Sequence, residues 1–162
     1  MKQKNLIVSV PILEPYRPPI SVAIIAHAIE IAGYPVSAID LNVKFYNFLG
    51  NEKYHQMEPV WEGKRPIELH EFKTVITFLN GYKKQFADQH SIMISVFGTY
   101  ATTFTKILCK YIRKHCKTCK IVLGGQGVLT ADIGKTNAND NFGTDGDCDC
   151  FLRLFYLEDE WR

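Results

Sequence analysis

The run Ile121-Val122-Leu123-Gly124-Gly125-Gln126-Gly127-Val128 decides the fold: an apolar segment suited to a buried strand stops in three glycines within four residues. Upstream, Ile92-Met93-Ile94-Ser95-Val96-Phe97 stops in the same manner, in Gly98-Thr99. Short continuous apolar runs of this kind suit parallel strands buried on both faces. In an open α/β sheet, ligands bind in the crevice beyond the carboxyl ends of the strands. Two strands ending there in small residues predict a floor of backbone, kept clear for something large and flat.

Working outward, Asn5–Val10 is an apolar first strand closed by Pro11. Pro11, Pro15, Pro18 and Pro19 make the next stretch a stiff extended loop. Pro19 is placed to start a helix over Ile20–Ala32, broken only by Ser21, His27 and Glu30 and so expected to be packed on most faces. Gly33 suits its C-terminal stop. Val36–Leu41 follows as a second strand, completing a right-handed βαβ unit. Residues 42–65 read as loops and a short helix over the carboxyl edge of the sheet, with Phe45, Tyr46, Phe48, Tyr54 and Trp61 mostly packing residues. Pro66–Phe86 reads as one amphipathic helix weakened late by Gly81, and Ala101–His115 as another, its basic last turn suiting the helix dipole. Ser91–Phe97 and Lys120–Leu123 are strands three and four, and Phe151–Leu157 is the candidate fifth. The repeated βα alternation predicts an α/β fold, a flavodoxin-like (Rossmann-like) three-layer domain with a five-stranded parallel sheet in the order 2-1-3-4-5. The loops after Val10, Phe97 and Leu123 then converge at the switch point between the first and third strands.

The chain has 162 residues, 46% hydrophobic and 22% charged, enough for one domain spanning 1–162. A formal charge of +2, with no basic stripe, argues against a nucleic-acid partner. The longest apolar runs fall well short of the ~20 residues that span a bilayer, so no membrane partner is expected. No signal peptide is apparent, and the odd count of five cysteines argues against a disulfide framework; both fit a cytoplasmic location.

Several local signals lead nowhere specific. Gly124-Gly125-Gln126-Gly127 lacks the G-x-G-x-x-G spacing of a dinucleotide loop, and the chain has no P-loop. A tight turn explains one of these glycines, and close approach of a ligand to the backbone explains the set better. Ser95, inside an apolar strand, needs a hydrogen-bond partner, either neighbouring backbone or a ligand. Thr99 suits an N-cap. Cys116-x-x-Cys119 and Cys148-x-Cys150 fall at the amino edge of the sheet; four thiolates there could bind zinc, but the spacing is not that of a zinc ribbon and free thiols are expected. None of the five histidines pairs with an acid or nucleophile at a catalytic spacing, and His27 reads as structural. No acid–base or nucleophile set assembles, so the chain by itself is not expected to be a catalyst.

Taken in order, Pro18-Pro19, Ala32-Gly33-Tyr34-Pro35-Val36, Asp40-Leu41-Asn42, Ile94-Ser95-Val96-Phe97-Gly98-Thr99-Tyr100 and Ile121-Val122-Leu123-Gly124-Gly125-Gln126-Gly127 resemble the cobalamin-binding N-terminal domain of radical S-adenosylmethionine enzymes. The resemblance covers about residues 5–128, and 129–162 diverge. It implies a corrin on the carboxyl edge with its nucleotide tail beside the strands. Ser95, with Phe97, resembles the S-x-L motif that contacts the tail, and Gly124 and Gly125 resemble the glycine pair that makes room for it. Asp40-Leu41-Asn42 lies where other cobalamin enzymes carry D-x-H-x-x-G. Asn42 replaces the histidine and Phe45 the glycine, which implies base-off cobalamin without a histidine ligand.

The resemblance also implies a radical S-adenosylmethionine barrel, as a domain or partner protein, that holds S-adenosylmethionine and a 4Fe-4S cluster. This chain has no C-x-x-x-C-x-x-C motif. A cobalamin-holding module, working with such an enzyme in methyl transfer, is the expected function. A cofactor-free interaction domain of the same fold, or a flavin or nucleotide binder, is the alternative, since fold alone does not fix function.

Overall fold

The computed structural model describes residues 4–11, 15–16, 19–125 and 150–152. Its strands are β1 (Asn5–Ser9), β2 (Val36–Asp40), β3 (Ser91–Ser95) and β4 (Lys120–Gly124), with a short β5 (Cys150–Leu152). All pairings are parallel, in the order β2-β1-β3-β4, and β5 adds a three-residue rung beyond β4. The remainder of the expected last strand, 153–157, lies outside the described residues. The helices are α1 (Ile20–Ile31), α2 (Leu41–Leu49), α3 (Asn51–Gln56), α4 (Glu58–Trp61), α5 (Leu69–Asn80), α6 (Lys83–Ala87) and α7 (Thr102–His115).

Strand side chains alternate between faces with period two. One face carries Leu6 and Val8, Ile39, Ile92 and Ile94, Ile121 and Leu123, all buried in a single cluster with the helices from α2 onward. Phe45 of α2 sits at its centre, with ring centroids 4.9 Å from Phe78 and 5.4 Å from Phe104, both edge-on. The other face carries Ile7, Met93 and Val122, aligned in register. There α1 packs along β1 and β2. Ile7 and Val22 are buried under it, while Met93 and Val122 stay half-buried.

Three expectations change. Residues 42–65 are not loops with one short helix: three successive helices, α2 to α4, occupy most of them, and each buries one large aromatic, Phe45, Tyr54 and Trp61 in turn. The long helix over Pro66–Phe86 begins only at Leu69 and splits at Gly81-Tyr82 into α5 and α6. Helix α1 is not packed on most faces: Val22 is its buried residue, whereas Ile20, Ile24 and Ile31 are 71%, 64% and 74% exposed. A helix of even hydrophobicity has no polar stripe to reveal which side faces water, so periodicity could not orient it. His27 lies on its exposed side.

Candidate functional site

The carboxyl edge of the sheet is built from one row of small and polar residues. Register places Asp40 beside Ser9, Ser9 beside Ser95, and Ser95 beside Gly124. This row lies on the α1 face, one step beyond Ile7, Met93 and Val122. Ser9, Ser95 and Gly124 thus set short side chains side by side on three adjacent strands, next to Ser21 of α1.

Each member of the row is held differently. The Ser9 hydroxyl donates to Asp40 Oδ1 at 2.6 Å. The same oxygen accepts the backbone N–H groups of Asn42 (3.0 Å) and Val43 (3.2 Å). Asp40 is therefore the N-cap of α2, and strand passes into helix without a loop. Asn42 is 3% exposed, and its Oδ1 accepts the Tyr54 hydroxyl at 2.5 Å. Burial pushes the Tyr54 phenol far above its ordinary value, with Glu58 and Asp40 adding to the effect. Asp40 and Asn42 thus anchor α2 and α3 beneath the edge.

Ser95 finds its partner on α1: its hydroxyl and that of Ser21 lie 3.2 Å apart. Neither neighbouring backbone nor a ligand is needed to satisfy it. One hydroxyl donates to the other, so the acceptor's own O–H lies outside this bond. Ser9 is not among the residues expected from the sequence, although Ile7-Val8-Ser9-Val10 parallels Met93-Ile94-Ser95-Val96, each a serine set between apolar residues near the carboxyl end of its run.

The glycines divide. Gly125 has φ +108, and a Cβ there would meet the Val96 carbonyl oxygen at 2.5 Å. Beside it, the Val96 N–H donates to the Gly124 carbonyl at 2.7 Å. Close passage of the β4 end over the β3 end is by itself enough to require glycine at 125. Gly98 has no positive φ, and a Cβ there would meet the Tyr100 ring at 3.5 Å, an ordinary contact. Phe97 and Tyr100, on either side of it, are 65% and 43% exposed at the same edge. Thr99 is not the N-cap: it opens a 3-10 turn, Thr99–Ala101, and Ala101 occupies the cap position of α7. Pro19 takes the N-cap position of α1, one residue ahead of the helix. Pro18, Gln126, Gly127 and Cys148 lie outside the described residues.

A polar belt borders the edge. Tyr16, in the segment after β1, has its hydroxyl 3.1 Å from that of Tyr46. Tyr46 donates to Asn51 Oδ1 at 3.0 Å, His55 Nε2 meets the same oxygen at 3.0 Å, and His55 Nδ1 contacts Glu58. The Tyr16 contact raises the Tyr46 phenol above its ordinary value. Lys64, paired with Glu62 at 2.6 Å, is raised chiefly by that pair and also feels Tyr100 and Glu58. The hydrogen-bonded belt thus links the segment after β1 to α2, α3 and α4.

At the amino edge, Cys116 and Cys119 are buried, and the Cys119 thiol donates to the Cys116 carbonyl at 3.4 Å. Cys150 falls in β5, opposite Val122. Among the described residues no group of three or more histidine, cysteine and acidic side chains is placed to hold a metal ion. Nor is any described helix long and apolar enough to cross a membrane.

No protein-family model matches the chain. No characterised protein sequence matches it either. Solved structures do. The radical S-adenosylmethionine methyltransferase TsrM from Kitasatospora setae, with cobalamin and a [4Fe-4S] cluster bound, superposes with a TM-score of 0.53 at 16% identity, over 79% of this chain and 19% of that one. The same enzyme with tryptophan and a S-adenosylmethionine analogue bound gives 0.53 at 15%, over 78% and 20%. The chain therefore shares the fold of a segment about one-fifth the length of that methyltransferase.

Proposed function

We infer that this chain, as a single five-stranded flavodoxin-like domain, is a cobalamin-binding module that holds base-off cobalamin for a radical S-adenosylmethionine enzyme, in methyl transfer. The observation that carries the reading is the row Ser9–Ser95–Gly124, which sets small residues side by side at the carboxyl edge beside α1. Its width of three strands and its free hydroxyl suit a polar nucleotide tail, and exposed Phe97 and Tyr100 suit the flat ring above it. Likeness of fold to a cobalamin-bound enzyme supports the same reading.

The residues present fit such a cofactor. Asp40 and Asn42 are committed to α2 and to Tyr54, so neither side chain is offered to the lower face of a corrin. Ser95 and Ser21 would hold the tail, with Pro19, Gly98, Thr99 and Gly124 lining its path. The bound cofactor would supply the group-transfer chemistry, and the protein would supply orientation and shielding. A barrel carried by another domain or protein would hold S-adenosylmethionine and the 4Fe-4S cluster, and a cytoplasmic setting suits such a partner.

Hydroxocobalamin mixed with the purified protein should shift to a base-off absorption spectrum and stay with the protein through gel filtration. Folded protein, verified by circular dichroism, that loses the pigment on the column would refute this function and leave a cofactor-free interaction domain.

A further inference from the structure

The outer edge of β2 is open. This strand ends the order β2-β1-β3-β4-β5, and among the described residues no strand pairs with its far side. The Asn5 N–H donates to the Pro35 carbonyl at 3.2 Å, and Asn5 aligns with Val36. In a parallel ladder this sets the parity of β2. The peptide groups of residues 35, 37 and 39 face β1, while the N–H and C=O of Val36 and of Ala38 point away from the sheet. Proteins blunt such edges with charge, proline, a bulge or a covering element. Here residues 31–39 carry no charge, and Pro35 lies on the inward parity, so it does not block the outer side. Ser37 and Ala38 are exposed. The segments 126–149 and 153–162 join on to β4 and β5, at the opposite edge of the sheet.

Helix α1 lies over β1 and β2. Ser21 marks its side toward β3, through the contact with Ser95. At 3.6 residues per turn, the opposite side, toward the open edge, carries Ala23, Ala26 and Glu30. The two alanines leave room for another helix to come close, and Glu30 is the one charged residue of α1.

We propose that this edge binds a second copy of the chain, by antiparallel pairing of β2 with β2 about a two-fold axis. Outward groups must meet outward groups. With Val36 opposite Ala38 of the second copy, the outward N–H and C=O of both residues are satisfied in both copies. The same pairing brings the helices together. Strands pair about 4.8 Å apart, so an α1 set over β1 and β2 stands about 10 Å from the α1 of the other copy. That is the spacing at which helices pack. A lone strand from another protein satisfies the edge but brings no helix to this side, whereas a second copy does both. The contact is isologous and closes on itself. Antiparallel pairing also points the two carboxyl edges in opposite directions, so neither site row is covered.

The test follows the full chain by sedimentation equilibrium at rising concentration, with hydrogen exchange at the Val36 and Ala38 amides read by NMR. The wild type should pass from the mass of one chain to that of two, and both amides should slow as it does. Ala38→Pro removes an N–H that points away from the sheet, a change that edge strands tolerate. Across a two-fold axis it deletes a bond on each side, and the dimer should weaken by at least about tenfold. Ala23→Arg, at an exposed helix position, leaves the strand untouched and should also weaken the dimer. Circular dichroism verifies the fold of each variant, and where Ala38→Pro does not fold, Ala23→Arg decides. A wild type that keeps the mass of one chain at every concentration overturns the proposal. So does a dimer that the folded variants leave undiminished, or one in which both amides still exchange fast. Slow amides at the mass of one chain mean that the edge is covered from within the chain, and overturn it as well.

Discussion

Replacing Gly125 by alanine asks whether the glycine loop serves the sheet or a ligand. The residue sits at φ +108, where a side chain is strained by about 1–3 kcal/mol. Its Cβ would also lie 2.5 Å from the Val96 carbonyl oxygen, 3.1 Å from the carbonyl carbon and 3.2 Å from the nitrogen. These are backbone atoms of the neighbouring strand end, which cannot swing aside as a side chain can. Relief must come from separating β3 from β4, which loads the Val96 N–H bond to Gly124, itself worth about 1 kcal/mol. Together the loss is about 2–4 kcal/mol. Domains of this size carry about 5–15 kcal/mol, so the variant remains folded and measurable. Urea denaturation followed by circular dichroism should show a lower midpoint with an unchanged slope. Gly98→Ala is the control: its Cβ would touch a ring at 3.5 Å with ordinary backbone geometry, and its cost should stay within about 0.5 kcal/mol. A Gly125→Ala protein as stable as wild type, or equal losses in the two variants, would refute the structural account of Gly125.

Four further outcomes are expected. Asp40→Ala removes the cap of α2 and the partner of Ser9, lowering stability by about 1–2 kcal/mol, and Asp40→Ser should recover part of it in the same denaturation assay. Tyr54→Phe deprives the buried Asn42 carbonyl of its hydroxyl donor and should cost about 1–3 kcal/mol, with no loss if that bond is dispensable. Arg65, bonded through both Nη atoms, holds the Glu71 carboxyl below its ordinary value. Glu71 therefore contributes stability above its unfolded pKa of about 4.3 and loses it as pH falls through the lower folded value. The stability gap between wild type and Arg65→Met should narrow as the pH drops from about 5 to about 3, and a constant gap would contradict the pairing. Ser95→Leu fills the centre of the row and should abolish hydroxocobalamin retention while circular dichroism stays native; retained pigment would place the ligand elsewhere.

Strand content was legible because the parallel strands announce themselves as apolar runs: Asn5–Ser9, Ser91–Ser95 and Lys120–Gly124 coincide with the runs to within two residues. The order followed from the repeated βα alternation and the flavodoxin-like topology it implies. The stretch 42–65 was not legible. Its helices are short, so each shows fewer than three turns of periodicity, and their buried aromatics are interleaved with the polar groups of the belt. Ser95 was recognised as needing a partner, but Ser21 could not be found, since it depends on how α1 is rotated. At Gly125, positive φ and the approach to Val96 match the tight turn that the sequence reading allowed for one glycine of the loop, and Gly127 lies outside the described residues.

The reassignment of Gly125 shifts the weight of the functional argument onto the serines. A glycine required by the sheet is expected in any protein of this fold with the same strand ends, so it carries no information about a ligand. Ser9 and Ser95 are different. Valine or isoleucine at either position would fit the strand, satisfy its face and remove a hydroxyl that must otherwise find a partner. Ser9 is held by the Asp40 cap, and Ser95 shares its bond with Ser21, so the α1 face carries three hydroxyls where none is needed for packing. One of those O–H groups lies outside these bonds, on the sheet face that half-buried Met93 and Val122 share. A tail bearing phosphate and hydroxyl groups is a chemistry that uses such a donor, which is why substitution at Ser95 tests function and substitution at Gly125 tests the fold.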